Sequence, residues 1–222
     1  MKRSFGWMSG LLACVAMLLP ACDGDQIAVE PLPEIVEEQD PVELGDQPYR
    51  PRRRMDVRQL ENSLRRVSGG IEWRINSNTT GFERYARTLG EPDYVERTVE
   101  DREVSVLFLK FLDDAARDIC DELIEQEWQE DATDRVFMVH AGMTDTLASN
   151  EDAIRENLRY LLLRFHGRRV AVDSAELQPW TQLLNDVAVA SQGEGEDAMP
   201  EYRPAWESVC VTLINHPDFF TY

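Results

Sequence analysis

Histidine is the side chain best suited to proton transfer and metal binding near neutral pH, and this chain has three: His140, His166 and His216. None has a second ligand at metal-binding spacing, and neither C-x-x-C nor H-E-x-x-H occurs, so the sequence assigns no metal. His166 stands just before Gly167 and His216 just before Pro217, positions that read as the closing turns of two helices. Carboxylates are far more numerous. Asp113, Asp114, Asp118, Asp121, Glu122 and Glu125 crowd one stretch, and on a helix Asp114, Asp118 and Glu122 form a line opposite much of the apolar stripe. A bridging-metal site in a helix bundle needs inward carboxylates with Glu-x-x-His pairs. The chain has no such pair, which makes the line a solvated face. The third set is basic: Arg50, Arg52, Arg53, Arg54, Arg58, Arg65 and Arg66 gather near the front of an acidic chain. Arg52, Arg53, Arg54 and Arg58 form a candidate patch for a partner's carboxylates, or for sugar or lipid phosphates. The same arginines could instead pair with the chain's own acids. No G-x-S-x-G, phosphate loop, calcium loop or C-x-x-C-H is found, so no catalytic residue and no cofactor is assigned. An enzyme with a site of dispersed residues would draw on His140, His166 and the front arginines.

The cysteines carry more specific chemistry. Lys2 and Arg3 precede a mostly apolar stretch, Phe5 to Leu19, too short for a membrane span of ~20 residues and shaped like an export signal. It stops at Leu19-Pro20-Ala21-Cys22, which resembles the lipobox of bacterial lipoproteins. That resemblance implies removal of residues 1–21 and acylation of Cys22, with more than one chain giving durable anchoring. The alternative is an ordinary secretory signal with a chance cysteine. Asp23 matches the inner-membrane retention mark of enteric bacteria, although which membrane holds the protein stays open. The expected location is the cell envelope, facing the periplasm or the exterior. Loss of Lys2 and Arg3 leaves 21 basic residues against all 42 acidic ones, a net charge of −21. Such a surface repels phosphate backbones, which argues against nucleic acid as a partner. In an oxidising compartment Cys120 and Cys210 can pair only with each other, although two buried thiols fit the sequence too.

These groups must be positioned by the rest of the chain. Residues 23–50 hold nine acidic residues, one arginine and four prolines, so 22–50 reads as the lipidated cysteine followed by a disordered, extended spacer. An arm lying on the domain is the alternative. Residues 51–222 suit one domain. Asp56 caps a helix whose face is Val57, Leu60, Leu64 and Val67, ended by Gly69-Gly70. A smaller one carries Phe82, Tyr85 and Leu89 before Gly90. The longest runs from about Arg102 to Trp128, with Val104, Leu107, Phe108, Phe111, Leu112, Ala115, Ile119, Cys120 and Leu123 at helical steps. Ser149 and Asp152 suggest a capping box for a helix with Ile154, Leu158, Leu161, Leu162 and Phe165 inward and Gly167 as its stop. A fifth lies within Ala175–Ala190 with Pro179 near its first turn, then an SQGEGED loop. Pro204 opens the last helix at its first position and His216-Pro217 ends it. IEWRI (71–75) and RVFMVH (135–140) are either strands or buried irregular chain. Trp73, Trp128, Trp180 and Trp206 read as core or interface anchors, and Phe219, Phe220 and Tyr222 as an end folded back on the helices, or else a docking peptide. The expected fold is all-α: a single compact domain of five or six helices after a disordered acidic tether.

The stretches RRRMDVRQLENSLRRVSGGIEW and NLRYLLLRFHGRRV resemble a set of uncharacterised lipoproteins from myxobacteria-like bacteria. The ending VCVTLINHPDFFTY is similar to helical modules of secreted proteins associated with planctomycete-type cytochrome c domains. The resemblance covers about a third of the chain. It implies membrane-tethered, exported company, and, with no haem signature here, no redox centre or catalytic residue is carried over from it. The function expected from these features is a lipid-anchored, non-catalytic helical module that binds another envelope protein. The alternative is an accessory enzyme or redox-associated subunit.

Overall fold

The computed structural model describes residues 52–96, 98–129, 131, 133–191 and 202–222. Residues 1–21, expected to be an export signal, Cys22, the expected spacer 23–50 and most of the SQGEGED loop lie outside the described residues.

Helix α1 (Val57–Val67) starts where Asp56 accepts the amide of Gln59 at 2.7 Å and the Gln59 side chain accepts the amide of Asp56 at 3.1 Å. This reciprocal cap satisfies two donors that a helix start leaves unpaired. Val57, Leu60, Leu64 and Val67 are all buried. Only Arg74–Asn76 of the IEWRI region is extended: β1 (Arg74–Asn76) pairs antiparallel with β2 (Thr79–Thr80), a short hairpin whose β1 side chains are exposed. Helix α2 (Gly81–Tyr85) is a single turn capped by Thr80. Its Phe82 and Tyr85 pack against Trp73, edge-on at 5.5 Å and stacked at 5.7 Å, while Leu89 is buried beyond the helix end.

Helix α3 (Val106–Gln129) begins four residues later than the apolar pattern suggests. Val104 precedes it and Leu107 lies in its first turn, 48% and 50% exposed, so neither belongs to the core stripe expected of them. Burial starts at Phe108, which packs on Phe220 and beneath Arg54; the residues before it extend past those covering groups. Helix α4 (Leu147–His166) is capped by Thr146, with Ser149 at the third position rather than at the cap. Asn150, at φ −153° and ψ 59°, breaks the first turn from the long remainder. Gly167, at φ 66°, takes the left-handed conformation that closes α4, its amide reaching back to Leu163.

A 3₁₀ turn at Ala175–Leu177, capped by Ser174, leads into α5 (Gln178–Ala190), with Pro179 in its first turn. Helix α6 (Tyr202–Asn215) starts two residues ahead of Pro204, so the proline takes the third position, not the first. Its missing N–H has no acceptor inside the helix there either. Tyr202 anchors this extra length: it is buried, and its hydroxyl accepts the amide of Leu147 at 3.0 Å. His216 caps α7 (Pro217–Phe220).

The long helices assemble around α6, which lies against α3 on one side and α5 on the other, with α4 touching α5, α6 and α7. Trp206, Val209, Cys210, Leu213 and Ile214 of α6 are buried at three- and four-residue steps. Cys120 on α3 and Cys210 on α6 form a disulfide with Cα atoms 5.9 Å apart, and both are fully buried. Trp206 and Trp73 are core residues, and Trp128 and Trp180 pack against the core from partly buried positions.

RVFMVH is not a strand but an irregular segment, buried at Phe137 and Met138 and exposed at Val139 and His140. Its amides have no sheet to join, and a buried backbone donor needs a partner. Glu127 supplies it: the carboxylate, 1% exposed, accepts the amides of Val136, Phe137 and Met138 at 2.6, 2.6 and 2.7 Å. Buried Asn157 on α4 accepts the amide of His140 and donates to the carbonyl of Phe137.

The chain end folds back, with Phe219 and Phe220 buried and Tyr222 still 60% exposed. Arg53 and Tyr222 exchange backbone hydrogen bonds at 3.1 and 2.9 Å, and the amide of Met55 donates to Phe220 at 2.7 Å. Residues 49–222 form one compact, mostly helical unit. No helix among the described residues is long and apolar enough to cross a membrane.

Candidate functional site

The front arginines diverge once folded. Arg54 is 2% exposed. Its guanidinium donates to the carbonyls of Glu103 at 2.8 Å, Met55 at 3.1 Å, Leu89 at 2.7 Å and Asp101, and lies 4.6 Å from the centre of the Phe108 ring. Burial lowers its pKa, opposed first by Asp101. Arg54 therefore leaves the candidate partner patch. A fork of five donors is what an irregular segment with several unpaired carbonyls requires. Gly90, at φ 104°, makes room for it, since a Cβ there would meet Asp101 O at 2.5 Å and the guanidinium at 2.6 Å. Arg52 pairs with Asp218 at 3.1 Å and Arg58 approaches Glu91 at 3.9 Å, pairings with the chain's own acids. Arg53 is exposed and joins Tyr222 through its backbone. Arg54→Met should lower unfolding free energy by about 2 kcal/mol, because several buried carbonyls lose a donor, while Arg53→Gln changes it by less than ~0.5. Urea denaturation of both variants checks this; equal stabilities would make Arg54 a surface residue after all.

The segment that Arg54 clamps also presents apolar groups to solvent. Tyr94, Val95, Val99, Val104, Val106, Leu107 and Leu109 are all exposed, Val95 and Val106 by 88% and 86%. Tyr94 and Val99 line a groove of about 510 Å³ together with Val57, Arg58 and Glu91. Val106 and Leu109, three residues apart on α3, share a face. Tyr94 holds φ 60°, a left-handed conformation costly for a bulky residue and enriched at functional sites. Nothing in the helical pattern singled out residues 94–99. The available signal was Tyr94, Val95 and Val99 lying outside any amphipathic stripe.

The third feature brings together histidines that are distant in sequence. His166 at the end of α4 and His216 at the α6–α7 junction stack with ring centres 4.6 Å apart and planes at 28°. Trp180 of α5 lies 6.0 Å from one and 6.4 Å from the other. His166 Nε2 contacts the Leu213 carbonyl at 3.0 Å, while its Nδ1 is buried with no hydrogen-bond partner among the described residues. Burial lowers the pKa of His166, with the Leu213 contact pulling the other way. His216 Nδ1 accepts the amide of Asp218 at 3.1 Å and lies 3.8 Å from its carboxylate. Arg52 and Arg168 reach the same carboxylate at 3.1 and 3.6 Å. His140 stands apart from this cluster, exposed, with its ring edge-on to Tyr160 at 5.6 Å. Both clustered histidines close helices, as expected, but local spacing could not show that the two helix ends meet.

On the acidic line, Asp114 pairs with Lys110, and Asp118 and Glu122 are exposed. Clefts along the described surface include grooves of about 390 to 590 Å³, one of about 590 Å³ being lined by Trp73, Tyr85, Phe111 and several acids. No protein-family model, curated protein or solved structure matches this chain.

Proposed function

We propose that the chain is a lipid-anchored helical module of the bacterial envelope, held to the membrane through Cys22, whose work is to bind another exported protein. The observation that supports this most directly is the set of exposed apolar side chains Tyr94, Val95, Val99, Val104, Val106, Leu107 and Leu109, interspersed with charged residues on a strongly acidic protein. Apolar side chains scattered singly over a surface are ordinary, whereas several gathered in one stretch are a mark of docking surfaces. The disulfide and the clamped segment give that surface a rigid base, which lowers the ordering cost of association. The expected partner presents an apolar face without strong negative charge, since a chain at −21 would repel an acidic one. An accessory enzyme is the weaker reading: catalysis needs polar groups converging in a concave site that excludes water, and the described clefts are open grooves.

The test is photocrosslinking in cells labelled with radioactive fatty acid. A crosslinker at Val95 or Val106 should give one discrete protein adduct. The same group at Glu122 should give none, and Val106→Asp should abolish the adduct formed at Val95. Label on the wild type and none on Cys22→Ser reports the anchor separately. Labelled protein without any adduct sinks the docking reading alone, and unlabelled protein in the soluble fraction sinks the anchor.

A further inference from the structure

We propose that His166, His216 and Asp218 form a divalent metal site of the kind zinc occupies, with two imidazoles, one carboxylate and an open position for water. One nitrogen from each histidine and one carboxylate oxygen of Asp218 lie within 4.8 Å of one another. Ligand atoms around a tetrahedral zinc ion, at ~2.0–2.1 Å from it, are about 3.3 Å apart. A contraction of roughly 1 to 1.5 Å between half-buried side chains would then close the site.

The strongest argument is the state of His166. A ligating imidazole usually donates its other N–H to a carbonyl or carboxylate, which fixes the tautomer and aims the lone pair. His166 has the outer half of that arrangement: Nε2 faces the Leu213 carbonyl at 3.0 Å, which in the neutral ring leaves the lone pair on Nδ1, buried and unpartnered among the described residues. An unpaired buried nitrogen is costly, and an ion would remove the cost. The C-terminal end of α4 adds partial negative charge beside a cation.

Three contacts oppose the site. Arg52 and Arg168 now hold the Asp218 carboxylate, and the His216 Nδ1 lone pair faces the amide of Asp218. The arginine side chains are 70% and 45% exposed, and exposed ion pairs are weak enough for a divalent ion to displace.

Zinc chloride titrated by calorimetry into the full-length chain in detergent, without a histidine tag, should bind at one ion per chain. His166→Gln and His216→Gln should each weaken binding at least ~10-fold, the scale seen even for outer-shell partners of a metal, with His140→Gln unchanged. X-ray absorption of the zinc-loaded wild type should show two imidazoles, a readout that needs no variant to fold. No saturable binding, or binding that survives both substitutions, or an all-oxygen coordination shell, overturns the site and leaves only adventitious binding to surface acids. None of these results bears on the docking surface.

Discussion

Glu127→Gln should destabilise the protein by about 3 kcal/mol, although it changes one atom on a side chain that is 1% exposed. The carboxylate accepts three successive amides, from Val136, Phe137 and Met138. Hydrogen bonds to a charged group contribute ~1.5–3 kcal/mol each, and a donor left unpaired in the interior costs ~1–3 kcal/mol. Glutamine keeps one acceptor oxygen and turns a donating NH₂ toward amides that also donate. At least one amide is left facing a donor, in a segment with no strand partner to take it. Glu122→Gln, on the exposed side of the same helix, should change stability by less than ~0.5 kcal/mol. Guanidinium denaturation followed by circular dichroism compares the two. A loss below ~1 kcal/mol for Glu127→Gln would mean that the segment finds its hydrogen bonds elsewhere. Hydrogen exchange adds a local check: the three amides should lose protection in the variant before those of α3 do.

The Cys120→Ala/Cys210→Ala double variant should lose more, about 4 to 5 kcal/mol, because the bridge spans 90 residues and restricts the unfolded chain accordingly in the chain-entropy model. Both sulfurs are fully buried, so a reductant should act slowly on the folded protein and quickly once denaturant opens it. Peptide mapping of unfolded, unreduced protein should recover residues 120 and 210 in one linked species. Two free thiols at those positions would remove the bridge from the account, and a double variant as stable as the wild type would remove its energetic role.

Much of this architecture is legible in the residues. The α1 stripe and its cap at Asp56 are visible because capping and helical periodicity are local rules, and the buried faces of α4 and α6 follow from the same periodicity. What periodicity cannot report is coverage: Val104 and Leu107 have the right spacing and the wrong neighbours. Arg54 sits in a run of three arginines that look alike until one of them is surrounded by carbonyls. RVFMVH was undecided because its hydrogen-bond partner is a glutamate on another element, and no pattern within six residues could show that. The cysteine pair was half legible: with Cys14 read as part of a leader and Cys22 as a lipidation site, Cys120 and Cys210 had only each other to bridge to, but two buried thiols fitted the sequence equally. The histidine pair was not, since His166 and His216 meet only when α4 and α6 end at the same place.

The antiparallel exchange between Arg53 and Tyr222 has a consequence for how this body comes apart. Fraying ordinarily starts at loose ends, yet here the two extremities of the described domain zip to each other and the covalent cross-link lies deep inside. Loosening either extremity therefore frees the other as well, so the two ends should lose order together rather than one at a time.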